Sequence, residues 1–135
     1  VLDLGCAPGS WSIYASRQIG ARGKVLGLDL LPVTTLLPDN VETMVADVTK
    51  LDGIDIPVVD VLMSDMAPST IGVSKFDHAN SAVLVREAMQ IANVKLRRGG
   101  SFVAKILDGS EGKAIIREME QFYERVRRLR VKATR

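Results

Sequence analysis

Four aspartates stand within or directly after apolar segments of the sequence: Asp3, Asp29, Asp47 and Asp65. A carboxylate accepts hydrogen bonds from hydroxyl and amino groups and attracts a cation, whereas it repels a phosphate. At the end of a buried strand, Asp29 suits the two hydroxyls of a ribose, and Asp47 could accept from the amino group of an adenine. Each aspartate taken singly is also typical of a helix cap or a turn. Their recurrence favours a site for a nucleoside that is cationic rather than phosphorylated.

A glycine-rich turn joins the first apolar run to a helical stretch, in the segment Asp-Leu-Gly-Cys-Ala-Pro-Gly-Ser-Trp (3–11). Such a turn lets a ligand approach the backbone closely. Gly5 and Gly9 are spaced G-x-x-x-G, which is neither the dinucleotide fingerprint nor a phosphate loop, and Pro8 lacks the N–H that a pyrophosphate would use. A nicotinamide dehydrogenase is therefore disfavoured. S-adenosylmethionine fits both patterns, since it has a sulfonium, an ammonium and an adenosine but no phosphate.

Lys105 ends the apolar segment Ser-Phe-Val-Ala (101–104). A lysine is almost never fully buried without a partner, so one interpretation is a side chain that extends into solvent from a strand end. The alternative is a general base. A low-dielectric site and a nearby sulfonium would lower the pKa of Lys105 enough for part of it to be neutral, whereas Asp65 would raise it. Asp65 is therefore expected to orient Lys105 and to stabilise the methyl donor.

Apolar runs and helical stripes alternate along the chain. The pattern predicts strands at 1–4, 24–29, 42–46, 58–64 and 101–106, helices at 10–19, 79–96 and 113–126, and a loop at 66–78 that contains His78. Residues 129–131 are compatible with the start of a sixth strand, and two prolines disfavour a helix at 30–40. The alternation predicts an α/β fold of Rossmann-like type, with a mainly parallel sheet and helices on both faces. Ligands in such sheets bind at the carboxyl ends of the strands.

The helical stripes also predict which side chains face the core. Tyr14 is expected on the inner face of the first helix, and Phe122 and Val126 on that of the last. Four methionines are also expected to pack in or near the core: Met63, Met66, Met89 and Met119.

The composition is typical of a single globular domain, with 135 residues of which 47% are apolar and 25% charged. No apolar run reaches the length of about 18 residues that a membrane span needs, and no signal peptide is visible. Cys6 is the single cysteine and cannot form an internal disulfide, and one Cys with one His disfavours a zinc site.

Basic residues are concentrated at the end of the sequence. The chain has 18 basic and 16 acidic residues, a net charge of +2. The last fourteen residues hold one acidic side chain, Glu124, and the basic side chains Arg125, Arg127, Arg128, Arg130, Lys132 and Arg135. Such a cluster is typical of a surface that contacts nucleic-acid phosphates, although cations near a helix end also occur on ordinary solvated surfaces.

Four motifs follow in order along the chain: Asp-Leu-Gly-Cys-Ala-Pro-Gly-Ser-Trp-Ser (3–12), Asp-Leu-Leu-Pro (29–32), Ser-Asp-Met-Ala-Pro (64–68) and Gly-Gly-Ser-Phe-Val-Ala-Lys (99–105). Together they resemble the FtsJ-type RNA ribose 2′-O-methyltransferases, with Ser10 where that family usually has a glycine. The resemblance implies a Rossmann-like core dependent on S-adenosylmethionine, with a Lys–Asp–Lys–Glu tetrad. Carried over residue by residue, the catalytic positions are Asp65 and Lys105. The cofactor-binding positions are Gly9, Trp11, Asp29, Asp47 and Asp65.

The resemblance also implies tetrad members outside the sequence. The first lysine is expected upstream of Val1 and the glutamate beyond Arg135, so residues 1–135 are expected to be a single methyltransferase core truncated at both ends. The implied activity is methyl transfer to a ribose 2′-hydroxyl, of a uridine in large-subunit rRNA. A tRNA ribose methyltransferase and a non-catalytic RNA-binding or ribosome-assembly protein on the same scaffold are the alternatives. The expected partner is RNA, with no metal or membrane, and the expected protein is monomeric and cytoplasmic.

Overall fold

The computed structural model describes residues 1–51, 53–68, 74–107 and 110–129. Within these ranges, strands and helices follow one another in this order: β1 (Leu2–Leu4), α1 (Ser10–Ile19), β2 (Val25–Asp29), β3 (Val41–Val45), β4 (Val59–Ser64), α2 (Ser74–Lys95), β5 (Leu96–Ala104) and α3 (Ser110–Met119). The strands form one sheet in the order β3-β2-β1-β4-β5, and every neighbouring pair is parallel. The predicted α/β fold is confirmed.

The sheet reverses its strand order at β1. From β1 the chain continues to β2 and β3 on one side, and then crosses to β4 and β5 on the other. Leu4 at the end of β1 pairs with Leu28 on one side and with Ser64 on the other. Leu2 and Leu4 on one face of β1 and Asp3 on the other are fully buried, as expected for a central strand covered on both faces. In such sheets a ligand crevice opens beyond the carboxyl end of the strand at which the order reverses.

Successive side chains of β4 belong to different core clusters, because they point to opposite faces of the sheet. Met63 packs with Ala15 of α1, whereas Leu62 packs with Ala88 and Ala92 of α2. Helix α3 packs against α2 through an apolar cluster that includes Ile115, and it lies on the same face as α2. The helices therefore cover both faces of the sheet, as predicted.

Helix α2 and strand β5 both begin earlier than the sequence predicts. The backbone is helical from Ser74, so His78 lies within α2 and not in a loop. Strand β5 starts at Leu96, directly after α2, because Leu96 pairs with Val59 of β4. The Gly-Gly pair at 99–100, predicted to end the helix, instead lies inside β5 beside an irregularity in the register with β4.

Two aromatic side chains predicted to face the core are exposed. In α1, Tyr14 is 63% exposed, and Ser12 and Ser16 are buried together with Ala15. Helix α3 ends at Met119, so Phe122 lies beyond it and is 60% exposed. Tyr123 takes the inner position, where its ring stacks on that of Phe102 with centroids 5.7 Å apart.

Other expectations have mixed outcomes. The four methionines at 63, 66, 89 and 119 are buried, as predicted. Val126 lies outside α3 but still packs against its cluster. Leu129 is not part of a strand and is 82% exposed, and residues 130–131 lie outside the described ranges.

Among the described helices, none combines the length and the apolar character that crossing a membrane requires.

Candidate active site

The turn between β1 and α1 depends on two glycines. Gly5 has φ +77° and donates its amide to the carbonyl of Leu28 (2.8 Å), and a Cβ there would lie 2.8 Å from the backbone nitrogen of Met66. Gly9 has φ +114° and precedes α1, and its Cβ would lie 3.2 Å from the side chains of Val33 and Leu37. A side chain at either position would combine a left-handed conformation with steric contact. The turn therefore fits closely between the ends of β2 and β4.

Asp3 lies beneath this turn and is fully buried. Its Oδ2 accepts a hydrogen bond of 2.6 Å from the hydroxyl of Ser12, and its Oδ1 has no donor among the described residues. The pKa of Asp3 is raised to about 6, chiefly by burial; the hydrogen bond from Ser12 lowers it, and the nearby carboxylates of Asp65 and Asp29 raise it. The three carboxylates therefore form one cluster of negative potential at the carboxyl end of β1.

Asp29 is the last residue of β2, and its side chain accepts hydrogen bonds from two loops at the carboxyl edge of the sheet. Its Oδ2 accepts from the amide of Ala7 in the glycine turn, and its Oδ1 accepts from the amide of Leu31, both at 2.9 Å. The side chain is half-buried. Each carboxylate oxygen can accept a further hydrogen bond, so Asp29 can receive donors from a ligand while it fixes the turn.

Asp65 and Lys105 follow the ends of the neighbouring strands β4 and β5. The amide of Lys105 donates to the carbonyl of Ser64 at 2.9 Å, and its Nζ lies 2.5 Å from Oδ1 of Asp65. The side chain of Lys105 is 47% exposed and that of Asp65 28%. An ammonium is therefore held at the opening of the carboxylate cluster, where an incoming substrate can reach it.

The sequence model of the FtsJ-like methyltransferases matches residues 1–135, the whole chain. The chain belongs to the FtsJ-like methyltransferase family. The predicted family and the predicted enzyme class, a methyltransferase, are confirmed.

The same conclusion comes from individual relatives of this methyltransferase. It is 41% identical over 143 residues to "Ribosomal RNA large subunit methyltransferase E" of Nitratidesulfovibrio vulgaris, covering 100% of this chain and 69% of that protein. The protein of the same name from Lawsonia intracellularis is 40% identical over 132 residues, with 93% and 66% covered. The chain thus spans about two thirds of the length of these relatives. A crystal structure of a ribosomal RNA methyltransferase from Plasmodium falciparum has the same fold, with a TM-score of 0.77, 23% identity, and 89% and 72% of the two chains covered.

Asp47 makes a local turn in this methyltransferase. Its Oδ1 accepts hydrogen bonds from the amide of Thr49 at 3.0 Å and from the hydroxyl of Thr49 at 2.7 Å. The Nζ atom of Lys50 lies 3.5 Å from Oδ2. These hydrogen bonds, more than the charge of Lys50, hold the pKa of Asp47 below its usual value. Asp47 is not among the groups that perturb Asp3. Within the structure it stabilises the segment after β3, and its predicted contact with an adenine stays a prediction.

Trp11 and Gly9 lie at the start of α1. Trp11 is half-buried and packs against the cluster of Ala15 and Met63 on the α1 face of the sheet. The carbonyl of Gly9 accepts from the amide of Ile13 (2.9 Å), which makes Gly9 the residue from which the helix starts. Both positions border the glycine turn, and their contact with a cofactor stays a prediction.

The family implies S-adenosylmethionine as the methyl donor, and the residues at this edge fit it. Oδ1 of Asp3 is a buried carboxylate oxygen without a donor among the residues that the structure describes, a state that a bound cation or hydrogen-bond donor would relieve. Burial together with Asp3 and Asp29 raises the pKa of the Cys6 thiol to about 12, so the sulfur stays neutral and adds no further negative charge. No group of His, Cys, Asp or Glu in the described ranges is arranged to hold a metal ion.

No role was predicted from the sequence for Ser12, Leu30 or Leu31, although all three lie within the four motifs. The hydrogen bond from Ser12 to Asp3 follows from the position of Ser12 on the inner face of the first turn of α1, next to Trp11 and before Ala15. Leu30 and Leu31 are 67% and 66% exposed directly after Asp29. Exposed apolar side chains beside a strand-end carboxylate form a surface on which an apolar face of a ligand can pack.

Proposed function

We propose that this chain transfers a methyl group from S-adenosylmethionine to a ribose 2′-hydroxyl of large-subunit rRNA. The observation that supports this most directly is the contact between Lys105 and Asp65 at the ends of adjacent strands. A ribose hydroxyl is a poor nucleophile until its proton is withdrawn, and Lys105 is an exposed nitrogen base at the opening of the carboxylate cluster. The names of the bacterial relatives favour large-subunit rRNA over tRNA as the substrate.

Each predicted site residue at the carboxyl edge of the sheet then has a specific role. Asp29 binds the ribose hydroxyls of the cofactor through the free acceptor capacity of its oxygens. Asp3 and Asp65 provide the negative potential that favours a cation, with Gly9 and Trp11 at the border of the site and Asp47 toward the adenine. The bound cofactor supplies an electrophilic methyl group on its sulfonium.

Lys105 acts as the base and Asp65 as the group that orients it. In its neutral form, Nζ accepts the proton of the 2′-hydroxyl, and the resulting ammonium is stabilised by Oδ1 of Asp65. The short contact between the two side chains fixes the position of Nζ relative to the end of β4. Alignment of base and hydroxyl is a large part of the rate gain in such a transfer.

The proposal extends to the context of the enzyme. RNA phosphates contact the basic segment that begins at Arg125, the protein acts as a monomer in the cytoplasm, and residues 1–135 form one catalytic core. The relatives named as rRNA methyltransferases support the choice of RNA.

The decisive experiment is Lys105→Ala in the full-length protein, assayed by transfer of a radiolabelled methyl group to large-subunit rRNA. We expect kcat to fall by about a hundredfold or more, the usual contribution of a general base, while cofactor affinity measured by calorimetry changes little. Lys113→Ala is the matched control, since Lys113 is an exposed lysine on α3, and it should leave both quantities unchanged. Turnover of Lys105→Ala near the unsubstituted rate would contradict the mechanism. Failure of the unsubstituted protein to methylate rRNA would contradict the function.

A further inference from the structure

A cleft of about 490 Å³ lies at the other end of the sheet from the candidate active site. Its walls come from the C-terminal end of α1, the connection to β2 and the residues before β3: Ser16, Arg17, Gly20, Ala21, Arg22, Lys24, Asp39 and Asn40. Strands β2 and β3 begin here, whereas Asp29 lies at the opposite end of β2. Five residues of strand span roughly 16 Å, so the cleft is separate from the carboxylate cluster.

The side chain of Asn40, which lines this cleft, connects three segments of its wall by hydrogen bonds. Its Oδ1 accepts from the hydroxyl of Ser16 at 2.6 Å, and its Nδ2 donates to the carbonyls of Gly20 and Gly23 at 3.1 and 2.9 Å. Ser16 is buried. The turn that carries Arg22 is thereby tied to both α1 and the start of β3, so the basic side chains extend from a fixed backbone.

Three exposed cations converge on the cleft: Arg17, Arg22 and Lys24. Within the described part of the chain, none of them forms an ion pair. Asp39 is the acidic residue of the lining, so the cleft has three positive charges against one negative charge. Convergent cations without partners on a fixed backbone attract the phosphates of a nucleic acid.

The opposite edge of the sheet has the reverse charge. The carboxylates of Asp29 and Asp65 lie close enough to Asp3 to raise its pKa, and Lys105 is the cationic partner of Asp65. Such an edge favours a cationic cofactor and contributes little attraction for phosphates. Affinity for an RNA substrate must therefore come from surfaces elsewhere on the molecule.

We propose that this cleft binds backbone phosphates of the RNA substrate, away from the nucleotide that is methylated. The proposal rests on the proposed function, because it takes RNA as the substrate. Helix α1 has ten residues and spans about 15 Å, from Gly9 at the active site to Gly20 at the cleft. One folded RNA can therefore contact both ends of this helix.

The test is the salt dependence of rRNA binding by the full-length protein with Arg22→Gln/Lys24→Gln. Each phosphate that the protein no longer neutralises lowers the log–log slope by about 0.7 to 0.9, so we expect a decrease of about one to two units. KM for RNA should rise while kcat at saturating RNA stays the same, since the cleft does not touch the reacting atoms. Asp39→Asn should act in the opposite direction and tighten RNA binding.

Lys113→Gln/Arg117→Gln is the matched control, because it removes the same charge from exposed positions of α3, and its slope should equal that of the unsubstituted protein. An unchanged slope in the cleft variant, or an equal decrease in both variants, would overturn the cleft proposal while rRNA methylation by the unsubstituted protein continued to support the function. A lack of rRNA methylation by the unsubstituted protein would instead contradict the proposed function.

Discussion

The hydroxyl of Ser12 donates a 2.6 Å hydrogen bond to Oδ2 of Asp3, and both residues are fully buried. This contact joins the first turn of α1 to the middle of β1, on either side of the glycine turn. Among the described residues, the other oxygen of this carboxylate, Oδ1, has no hydrogen-bond donor. The bond therefore fixes the glycine turn at the carboxyl edge of the sheet and limits the cost of burying Asp3.

Ser12→Ala should destabilise the protein by about 1–3 kcal/mol, because it leaves a buried carboxylate without its donor. The measurement is the free energy of unfolding in urea at pH 7. Ser10→Ala is the control, since Ser10 is exposed at the start of the same helix, and it should change stability by about 0.5 kcal/mol or less. Equal effects of the two substitutions would remove the structural role of this hydrogen bond.

The part of the stability that Asp3 contributes should decrease as the pH rises from about 4 to 7. Burial raises the pKa of Asp3 from 3.8 to about 6, so between these values the folded protein binds more protons than the unfolded chain. Linkage then makes the free energy of unfolding fall with increasing pH, by roughly 3 kcal/mol at most for a shift of about two units. The contribution is fully present below the unfolded pKa and is lost above the folded one.

The corresponding measurement is a series of urea midpoints between pH 4 and 7. Asp3→Asn should remove this part of the pH dependence, whereas Asp39→Asn, at an exposed site, should leave it in place. A profile for Asp3→Asn that parallels the unsubstituted protein would show that Asp3 is not the titrating group.

Asp29→Ala should weaken the binding of S-adenosylmethionine by roughly 1–3 kcal/mol, the range for hydrogen bonds to a charged group. The loss includes release of the amides of Ala7 and Leu31, which Asp29 holds at 2.9 Å. Calorimetric titration measures this loss of binding free energy, and Asp39→Ala is the control at the other end of the sheet. Unchanged affinity in Asp29→Ala would place Asp29 outside the cofactor site.

Arg125→Gln/Arg127→Gln should lower the salt dependence of RNA binding, by about one slope unit for each phosphate that the arginines no longer neutralise. Both side chains are exposed after α3. The comparison variant is Lys50→Gln/Lys113→Gln, which removes the same charge from other exposed positions. If the slope of the arginine variant matches that of the unsubstituted protein, these arginines belong to an ordinary solvated surface.

Local sequence was sufficient for elements whose boundaries depend on their own residues. Helix α1 begins after Gly9 and ends before Gly20, as predicted, because glycine favours both the start and the end of that helix. The strands that end at Asp29 and Ser64 were also predicted to the residue at their carboxyl ends. Their apolar character follows from burial on both faces of the sheet, which is a property of the segment itself.

Boundaries that depend on distant partners were predicted less well. Strand β5 begins at Leu96 because Leu96 pairs with Val59, more than thirty residues earlier in the chain. Helix α3 ends at Met119, earlier than predicted, and beyond it the ring of Tyr123, and not that of Phe122, stacks on Phe102 of β5. Periodicity within a segment contains no information about which strand or ring lies opposite it.

Local patterns were enough to predict that carboxylates and one lysine lie at the carboxyl edge of a parallel sheet, because strand ends and chain direction follow from them. The hydrogen bonds and ion pairs of these groups depend on the tertiary structure. It pairs Lys105 with Asp65, buries Asp3 against Ser12 and turns Asp47 toward Thr49. Hydrogen bonds act over about 3 Å, so the state of each oxygen is fixed by the packing of elements that are distant in the chain.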